Sequence, residues 1–588
     1  MVKKGSRMEY TKTYQEWLNQ KDLEPGLRKE LEAVTDEKEI EDRFYTELEF
    51  GTGGMRGKMA AGTNRMNIYM IGKVSFGLGN YLLKMDKRNS EKGVVIAYDS
   101  RNCSRTFAET TAGVLAKMGV KAYLFEELRP VPELSFAVRE LKCHAGIMIT
   151  ASHNPKEYNG YKVYGNDGAQ FVAPQDRQVM DEVLAISSNE QIQWEKNSEY
   201  IQFIGADIDN KYFDSIRALS LNQASIKKNS DIKILYTPLH GTGITLIPKA
   251  LELFGFTNVI ILDEQANPDG NFSTIPSPNP EERATMLTAL EKGEELGVDL
   301  VLATDPDSDR MGVAARNSNG KLELLNGNMT ASLLCYYILS ELHKKKLFKG
   351  HEFIAKTIVT TDLLTEIAVD FNVEYVDVLT GFKYIAQKIK EFEGNKQYIF
   401  GGEESYGCLV GDFVRDKDAV SACCMMAELV AHLANDDKSL FDLLKELYVN
   451  YGFFKERLIS FTKKGKAGDD YIKKLMLKFR QQPPRTIFGS KVISIHDYLS
   501  QRITYCSSRK SEEIHLPKSN VLQFVTENES KITIRPSGTE PKIKFYISVK
   551  EDLPSIDNYT EINEKLNNRI LGIMRALKID EGLPAIEE

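Results

Sequence analysis

Two short runs carry the groups with the clearest chemistry. Ile149-Thr150-Ala151-Ser152-His153-Asn154-Pro155 offers a serine hydroxyl, and Asp305-Pro306-Asp307-Ser308-Asp309-Arg310 offers three carboxylates spaced two apart. Carboxylates in that spacing can hold one hard divalent cation, which neutralises charge on a phosphoryl group at a serine oxygen. Together the runs point to phosphoryl transfer through Ser152. An EF-hand also begins with alternate acidic residues, but it needs Gly at loop position six and Glu at position twelve. Arg310 and Arg316 stand there instead. Pro306 stiffens the loop, and three carboxylates leave room for a phosphate oxygen as a further ligand, so magnesium is the preferred ion. The bland alternative is a solvated acidic turn.

His153 beside Ser152 invites a serine-hydrolase reading, but adjacent residues seldom present nucleophile and base to one another, and G-x-S-x-G is missing around this serine. Phosphorylation of Ser152, with His153 or Lys162 orienting the group and assisting proton movement, fits better. The run Gly51-Thr52-Gly53-Gly54-Met55-Arg56-Gly57 lacks a complete G-x-G-x-x-G and no strong strand precedes it, which argues against a dinucleotide site. Exposed amides plus Arg56 would suit a phosphate, and a plain flexible loop is the alternative. Arg535-Pro536-Ser537-Gly538-Thr539 combines a bidentate cation, two hydroxyls and a glycine, a good anchor for a non-reacting phosphate. Gly402-Glu403-Glu404-Ser405 offers partners for vicinal sugar hydroxyls. A phosphorylated sugar satisfies both.

These loops need elements to position them, and one pattern recurs three times: strand, helical stretch, strand, then a strand ending in a polar loop. The first copy runs from Val94-Val95-Ile96-Ala97-Tyr98 through Ala122-Tyr123-Leu124-Phe125 to Gly146-Ile147-Met148-Ile149 and Ser152. The second runs from Ile232-Lys233-Ile234-Leu235-Tyr236 through Val259-Ile260-Ile261-Leu262 to Leu300-Val301-Leu302-Ala303 and Asp305. The third runs from Phe353-Ile354-Ala355-Lys356 through Val373-Glu374-Tyr375-Val376 to Tyr398-Ile399-Phe400 and Glu403. Such alternation builds doubly wound sheets whose ligands sit beyond the carboxyl ends of strands. The last part differs: two β-rich runs flank the Arg535 loop, and helical periodicity follows from about residue 561 to 577.

The expected architecture is α/β: three similar mixed α/β domains with sheets flanked by helices, plus a C-terminal α+β domain. The boundaries read as 1–215 (a helical extension and the serine loop), 216–327 (the carboxylate loop), 328–453 (the sugar loop) and 454–588 (the phosphate loop). At roughly 150 residues per domain, 588 residues also suggest about four. The extension, rich in charge around Trp17, Leu23, Leu31 and Phe44, reads as amphipathic helices joined by a turn at Pro25-Gly26.

With 42% hydrophobic and 27% charged residues, the composition is that of a soluble globular protein. A net charge of -8 argues against general nucleic-acid binding, and no stretch has the length of a membrane span, so a cytoplasmic address is expected. The seven cysteines form no C-x-x-C pair, consistent with reduced thiols.

The runs TASHNP, DPDSDR, GEESYG and RPSGTEPK, in that order, closely resemble the alpha-D-phosphohexomutase superfamily, over nearly the whole chain after the extension. GEESYG and FGTGGMRG resemble its phosphoglucomutase and phosphopentomutase branch. The resemblance implies four domains around a central cleft that the last domain can close, excluding water from the reaction. It implies Ser152 as phosphoserine and Asp305, Asp307 and Asp309 as magnesium ligands, with phosphorylated Ser152 joining them. Arg310, His153 and Lys162 become catalytic groups, and Arg56, Lys383, Glu403, Ser405, Arg535, Ser537, Gly538 and Thr539 become substrate contacts. Ser308 stands where the family often has Ala, as does Gly53.

The implied activity is interconversion of glucose 1-phosphate and glucose 6-phosphate through a phosphoserine enzyme. Glucose 1,6-bisphosphate would serve as intermediate and activator, and Tyr406 favours glucose over mannose by resemblance. The branch leaves open a phosphopentomutase or a glucose 1,6-bisphosphate synthase, and a silent sugar-phosphate-binding scaffold is the non-enzyme alternative. A monomer or homodimer with small-molecule partners is expected, without nucleic acid or membrane.

Overall fold

The computed structural model describes residues 7–48, 50–51, 54–86, 89–186, 191–195, 198–463, 466–508, 510–537 and 542–579. They form two compact units. One comprises residues 1–326, 386–400 and 405–437, the other residues 327–385, 401–404 and 438–588.

The first unit contains two sheets built on one plan. In the larger, Val94–Tyr98 lies parallel to both Ala122–Phe125 and Ala145–Ile149, and Ala122–Phe125 is parallel to Ile201–Ile204. Beyond Ala145–Ile149 come the antiparallel strands Tyr158–Gly165, Gly54–Lys58 and Phe50–Gly51. In the smaller, Ile234–Thr237 is parallel to Val259–Ile261 and Leu300–Thr304, after which Met311–Arg316 and Leu322–Leu325 run antiparallel. Val94–Tyr98, Ala145–Ile149 and Leu300–Thr304 are buried at every residue. That is why they read as unbroken apolar runs: helices cover both faces of a parallel sheet. The larger core joins Val94, Ile96, Ile147 and Ile149 to Ile71, Val74 and Leu78 of helix Ile68–Met85, and Leu115 of Ser104–Lys117.

In the second unit, Glu352–Thr357 pairs in parallel with Glu374–Val378. A C-terminal antiparallel sheet runs Phe453–Thr462, Lys542–Glu551, Lys531–Pro536, Leu522–Thr526, Ser490–Asp497, Arg502–Tyr505 and Ser511–Glu513. Helix Tyr559–Ala576 buries Leu566, Ile570, Ile573 and Met574. The expected class is what forms: α/β layers with sheets flanked by helices, then a β-rich C-terminal part.

Two local expectations are corrected. Pro25 and Gly26 do not join helices; they open helix Pro25–Ala33, where proline's missing N–H costs nothing. The extension thus has three helices, Arg7–Asn19, Pro25–Ala33 and Glu37–Phe44, packed through Trp17, Leu31 and Phe44 onto Ala61 and Tyr69. Gly54–Lys58 is likewise a strand, not a loop of free amides, since it lies between two antiparallel neighbours. Glycine is needed opposite it, because a Cβ on Gly160 would lie 2.5 Å from the Thr150 carbonyl oxygen. All seven cysteines are unpaired, five of them buried. Among the described residues, no helix is long and apolar enough to cross a membrane.

Candidate active site

Strand Ala145–Ile149 delivers the serine loop. Thr150 extends the ladder through its N–H to the Gly160 carbonyl (3.2 Å), and the chain then turns at Ser152, whose φ is +51°. Asn154 N–H closes the turn on the Ala151 carbonyl (3.1 Å), and the chain returns as Tyr158–Gly165. A side chain bearing Cβ seldom adopts that left-handed conformation, so the surroundings must impose it. The result is a serine only 4% exposed, whose hydroxyl donates to Asp305 Oδ2 at 2.8 Å and lies 3.2 Å from His153 Nδ1. Serine and histidine do therefore meet despite being neighbours in sequence, yet the oxygen's closest partner is the carboxylate.

Strand Leu300–Thr304 delivers the carboxylates in the same way. Ser308, φ +52°, makes the turn, and its N–H donates to the Asp305 carbonyl (2.9 Å). The first amide of helix Val131–Glu140 donates to the Asp307 carbonyl at 3.0 Å, satisfying a donor that the helix itself leaves free. Thr242 donates both its N–H (2.8 Å) and its hydroxyl (2.9 Å) to the Pro306 carbonyl. Gly243 is tightly enclosed: a Cβ there would fall 2.1 Å from the Tyr236 hydroxyl and 2.9 Å from Ser308 Oγ. The Ser308 hydroxyl meets Thr242 Oγ1 at 3.1 Å. Serine in place of alanine here extends a buried hydroxyl network beneath the loop.

Above that floor, oxygens of Asp305, Asp307 and Asp309 lie within 4.8 Å of one another, all three residues buried. Lys162 Nζ, on strand Tyr158–Gly165, is 2.8 Å from Asp307 Oδ2 and 3.7 Å from Asp309 Oδ2. Burial, then repulsion from Asp307 and Asp309, pushes the Asp305 carboxyl well above its usual range. Burial acts the same way on Asp307, but Lys162, aided by Lys417, outweighs it and holds that carboxyl down. Asp307 Oδ1 and Asp309 Oδ1 are buried without a hydrogen-bond partner among the described residues. Three crowded carboxylates with unsatisfied oxygens fit a hard divalent cation, which would relieve repulsion and fill those positions.

Arg310 pairs with Glu281, its Nε lying 3.8 Å from Asp309 Oδ1 and 4.0 Å from Asp305 Oδ2. Arg56, exposed on strand Gly54–Lys58, donates to Asn154 Oδ1 at 3.2 Å. Ser405 is half-buried, and the carbonyl of Tyr406 next to it accepts the Met311 N–H (3.0 Å) at the end of the carboxylate loop. Sequence reasoning missed Lys417, whose Nζ is 3.1 Å from Asp309 Oδ2 and from Asp416 Oδ1. Its only signal was the charged run Arg415-Asp416-Lys417-Asp418 shortly after the sugar loop.

The second unit gathers a different set. Buried Glu403 accepts the Gly381 N–H at 2.9 Å. Burial, followed by Glu404, raises the Tyr546 phenol while Arg535 opposes them, and Glu403 acts on the same group. Ser537 N–H donates to the Lys542 carbonyl (2.7 Å), and Lys383 Nζ lies over the Tyr384 ring. Gly538 and Thr539 lie outside the described residues.

Known proteins supply a family for this arrangement. Residues 47–190, 210–320 and 326–451 match the alpha/beta/alpha domains I, II and III of phosphoglucomutase/phosphomannomutase. The phosphoglucomutase of Staphylococcus haemolyticus is 38% identical over 90% of this chain and 95% of its own length. That of Staphylococcus aureus is 38% identical over 90% of this chain and 94% of its own. Among solved structures, a phosphoglucomutase/phosphomannomutase family protein from Burkholderia thailandensis shares the fold with a TM-score of 0.63 at 17% identity, covering 91% of this chain and 99% of that one. The open form of Paramecium parafusin, a phosphoglucomutase, has a TM-score of 0.63 at 16% identity and covers 90% and 96%. The chain belongs to the phosphoglucomutase/phosphomannomutase family.

Proposed function

We propose that this chain is a phosphoglucomutase, interconverting glucose 1-phosphate and glucose 6-phosphate, with Ser152 as the residue that carries the phosphoryl group. The observation that carries the reading is a buried serine hydroxyl 2.8 Å from one of three clustered aspartates, flanked by Lys162 and His153. The glucose assignment is supported by curated phosphoglucomutases 38% identical over nearly the whole chain.

In the forward direction the 6-hydroxyl of glucose 1-phosphate attacks phospho-Ser152. A bond forms from O6 to phosphorus, the bond to Ser152 Oγ breaks, and the proton lost by O6 is balanced by one taken up at Oγ. The 3.2 Å separation supports His153 as the group that exchanges a proton with Oγ. Lys162 and Arg310 supply positive charge beside the phosphoryl oxygens. Glucose 1,6-bisphosphate then reorients. Ser152 Oγ takes its 1-phosphoryl group, the bond from O1 to phosphorus breaks, and glucose 6-phosphate leaves with O1 protonated.

Asp305, Asp307 and Asp309 would hold Mg2+, with an oxygen of phosphorylated Ser152 as a further ligand; when bound, the ion supplies charge neutralisation at the reacting group. Arg56 and Lys383 are assigned to substrate phosphate, and Glu403 and Ser405 to sugar hydroxyls. Arg535, Ser537, Gly538 and Thr539 are assigned to whichever phosphate is not reacting. The four domains are taken as 1–215, 216–327, 328–453 and 454–588. A side-by-side assay on glucose, mannose, glucosamine and ribose 1-phosphates, with magnesium and glucose 1,6-bisphosphate, tests the substrate. The expected kcat/KM for glucose is about tenfold or more above the others. Preference for ribose or mannose 1-phosphate would overturn the assignment.

A further inference from the structure

We propose that Arg101 is a positioning residue for the nucleophile: one guanidinium, held by Asp99 and covered by Phe272, sets the left-handed turn that aims the Ser152 hydroxyl. The inference rests on Ser152 being the phosphoryl carrier.

Arg101 follows strand Val94–Tyr98, at the same carboxyl-end position as the serine and carboxylate loops of their own strands, and it is 3% exposed. Its Nη2 donates to the carbonyls of Ser152 (2.5 Å) and Asn154. Its Nη1 donates to those of Pro155 (2.8 Å) and Tyr158 (3.0 Å). One side chain thus gathers three carbonyls of the loop after strand Ala145–Ile149 and that of Tyr158, the first residue of strand Tyr158–Gly165. A guanidinium presents its donors as a rigid fork, which a lysine cannot reproduce.

Asp99 organises both sides of Ser152. It lies 3.3 Å from Arg101 Nε, accepts the Arg101 N–H (3.0 Å) and the Ser104 hydroxyl (2.7 Å), and takes the Thr150 hydroxyl at 2.6 Å. Thr150 Oγ1 in turn accepts the Ser152 N–H at 2.8 Å. The amide of Ser152 is therefore fixed through Thr150 and its carbonyl through Arg101, with one buried carboxylate behind both. Both peptide groups flanking its Cα are tied, so the φ of +51° is imposed from outside the residue.

The cover comes from the second repeat. The Phe272 ring centroid is 5.1 Å from Arg101 Cζ, and neighbouring Asn271 Oδ1 accepts from Asn102 Nδ2 at 3.0 Å. The loop around residue 272 is tied at its start to His240, whose Nδ1 is 2.9 Å from the Asn267 carbonyl, and His240 stands two residues before Thr242, which donates to the Pro306 carbonyl under the carboxylates. Arg101 thus joins the hydroxyl to the scaffold of its cation site.

The test replaces Arg101 with Lys and measures kcat, KM for glucose 1-phosphate, thermal midpoint, and the rate at which Ser152 takes phosphate from glucose 1,6-bisphosphate in rapid quench. A small misplacement of a reacting group costs about 100-fold, so kcat and the phosphorylation rate should both fall by about that factor while KM moves by a factor of a few. A folded Arg101→Lys enzyme with near-parental kcat, or a loss confined to KM, would overturn the proposal. If that variant fails to fold, Phe272→Leu keeps every Arg101 hydrogen bond and should still lower kcat by about 5-fold at unchanged KM; unchanged kcat would overturn it too. Ser152→Ala runs in parallel. Activity there would sink the nucleophile assignment itself, whereas an inactive Ser152→Ala beside an unaffected Arg101→Lys sinks only the positioning role.

Discussion

The serine loop and the carboxylate loop are the same turn put to opposite uses. Each leaves a wholly buried parallel strand, reverses at a serine in the left-handed region (Ser152 at +51°, Ser308 at +52°) and returns as an antiparallel strand. In the first, the serine hydroxyl faces out to Asp305. In the second it faces Thr242 in the buried floor, and the flanking aspartates are the ones that cluster. The supports differ as well. The Thr150 and Arg101 side chains hold the backbone of Ser152, whereas the Asp305 side chain is itself held, through Oδ1, by the backbone amides of Asp309 and Arg310. A shared backbone device does not give a shared environment: the Ser152 hydroxyl meets a carboxylate of the cluster, and the Ser308 hydroxyl meets the floor.

The comparison breaks hardest at Ser152. Ser152→Ala should lower mutase turnover by about 10⁴-fold or more, since it removes the hydroxyl 2.8 Å from Asp305 Oδ2. Steady-state assay with magnesium and glucose 1,6-bisphosphate measures it. Next comes Asp307→Asn, which removes one of three crowded oxygen donors and should cost about 100-fold or more with a raised magnesium requirement. A magnesium titration of activity that matches the parent would take the cation out of this loop. Lys162→Ala should cost about 100-fold in kcat, because the cation nearest Asp307 is lost. Smallest is Ser308→Ala. It removes a buried hydroxyl contact and should cost about 1 kcal/mol in denaturant stability while kcat stays within a factor of a few. Equal kinetic losses at Ser152 and Ser308 would erase the distinction.

Much of the fold was readable in the chain, and so were the two loops that fold against one another in the candidate site. Strands buried on both faces print as unbroken apolar runs, and carboxylates at every second position beside a proline suit a cation loop better than a solvated turn. Other features depend on partners that local sequence does not name. Pro25-Gly26 has the composition of a turn and opens a helix because proline suits a first helical position. Gly54 to Gly57 looks like a loop and is a strand because Tyr158–Gly165 lies beside it. Lys417 gains its role by folding next to Asp309, over a hundred residues away in sequence. Arg101 could have been found, since it sits at the carboxyl end of a strand where α/β ligand sites gather, but a lone Asp-Ser-Arg run carries no chemistry until Ser152 folds against it.

The central claim is that the hydroxyl of Ser152 carries the phosphoryl group. Enzyme incubated with glucose 1,6-bisphosphate labelled in its phosphates, then digested and mapped by mass spectrometry, tests this directly. The account predicts label, stable to acid as a phosphoserine is, on Ser152 alone, and its discharge by unlabelled glucose 1-phosphate. Label on another residue, or turnover by an enzyme that never acquires it, would contradict the account.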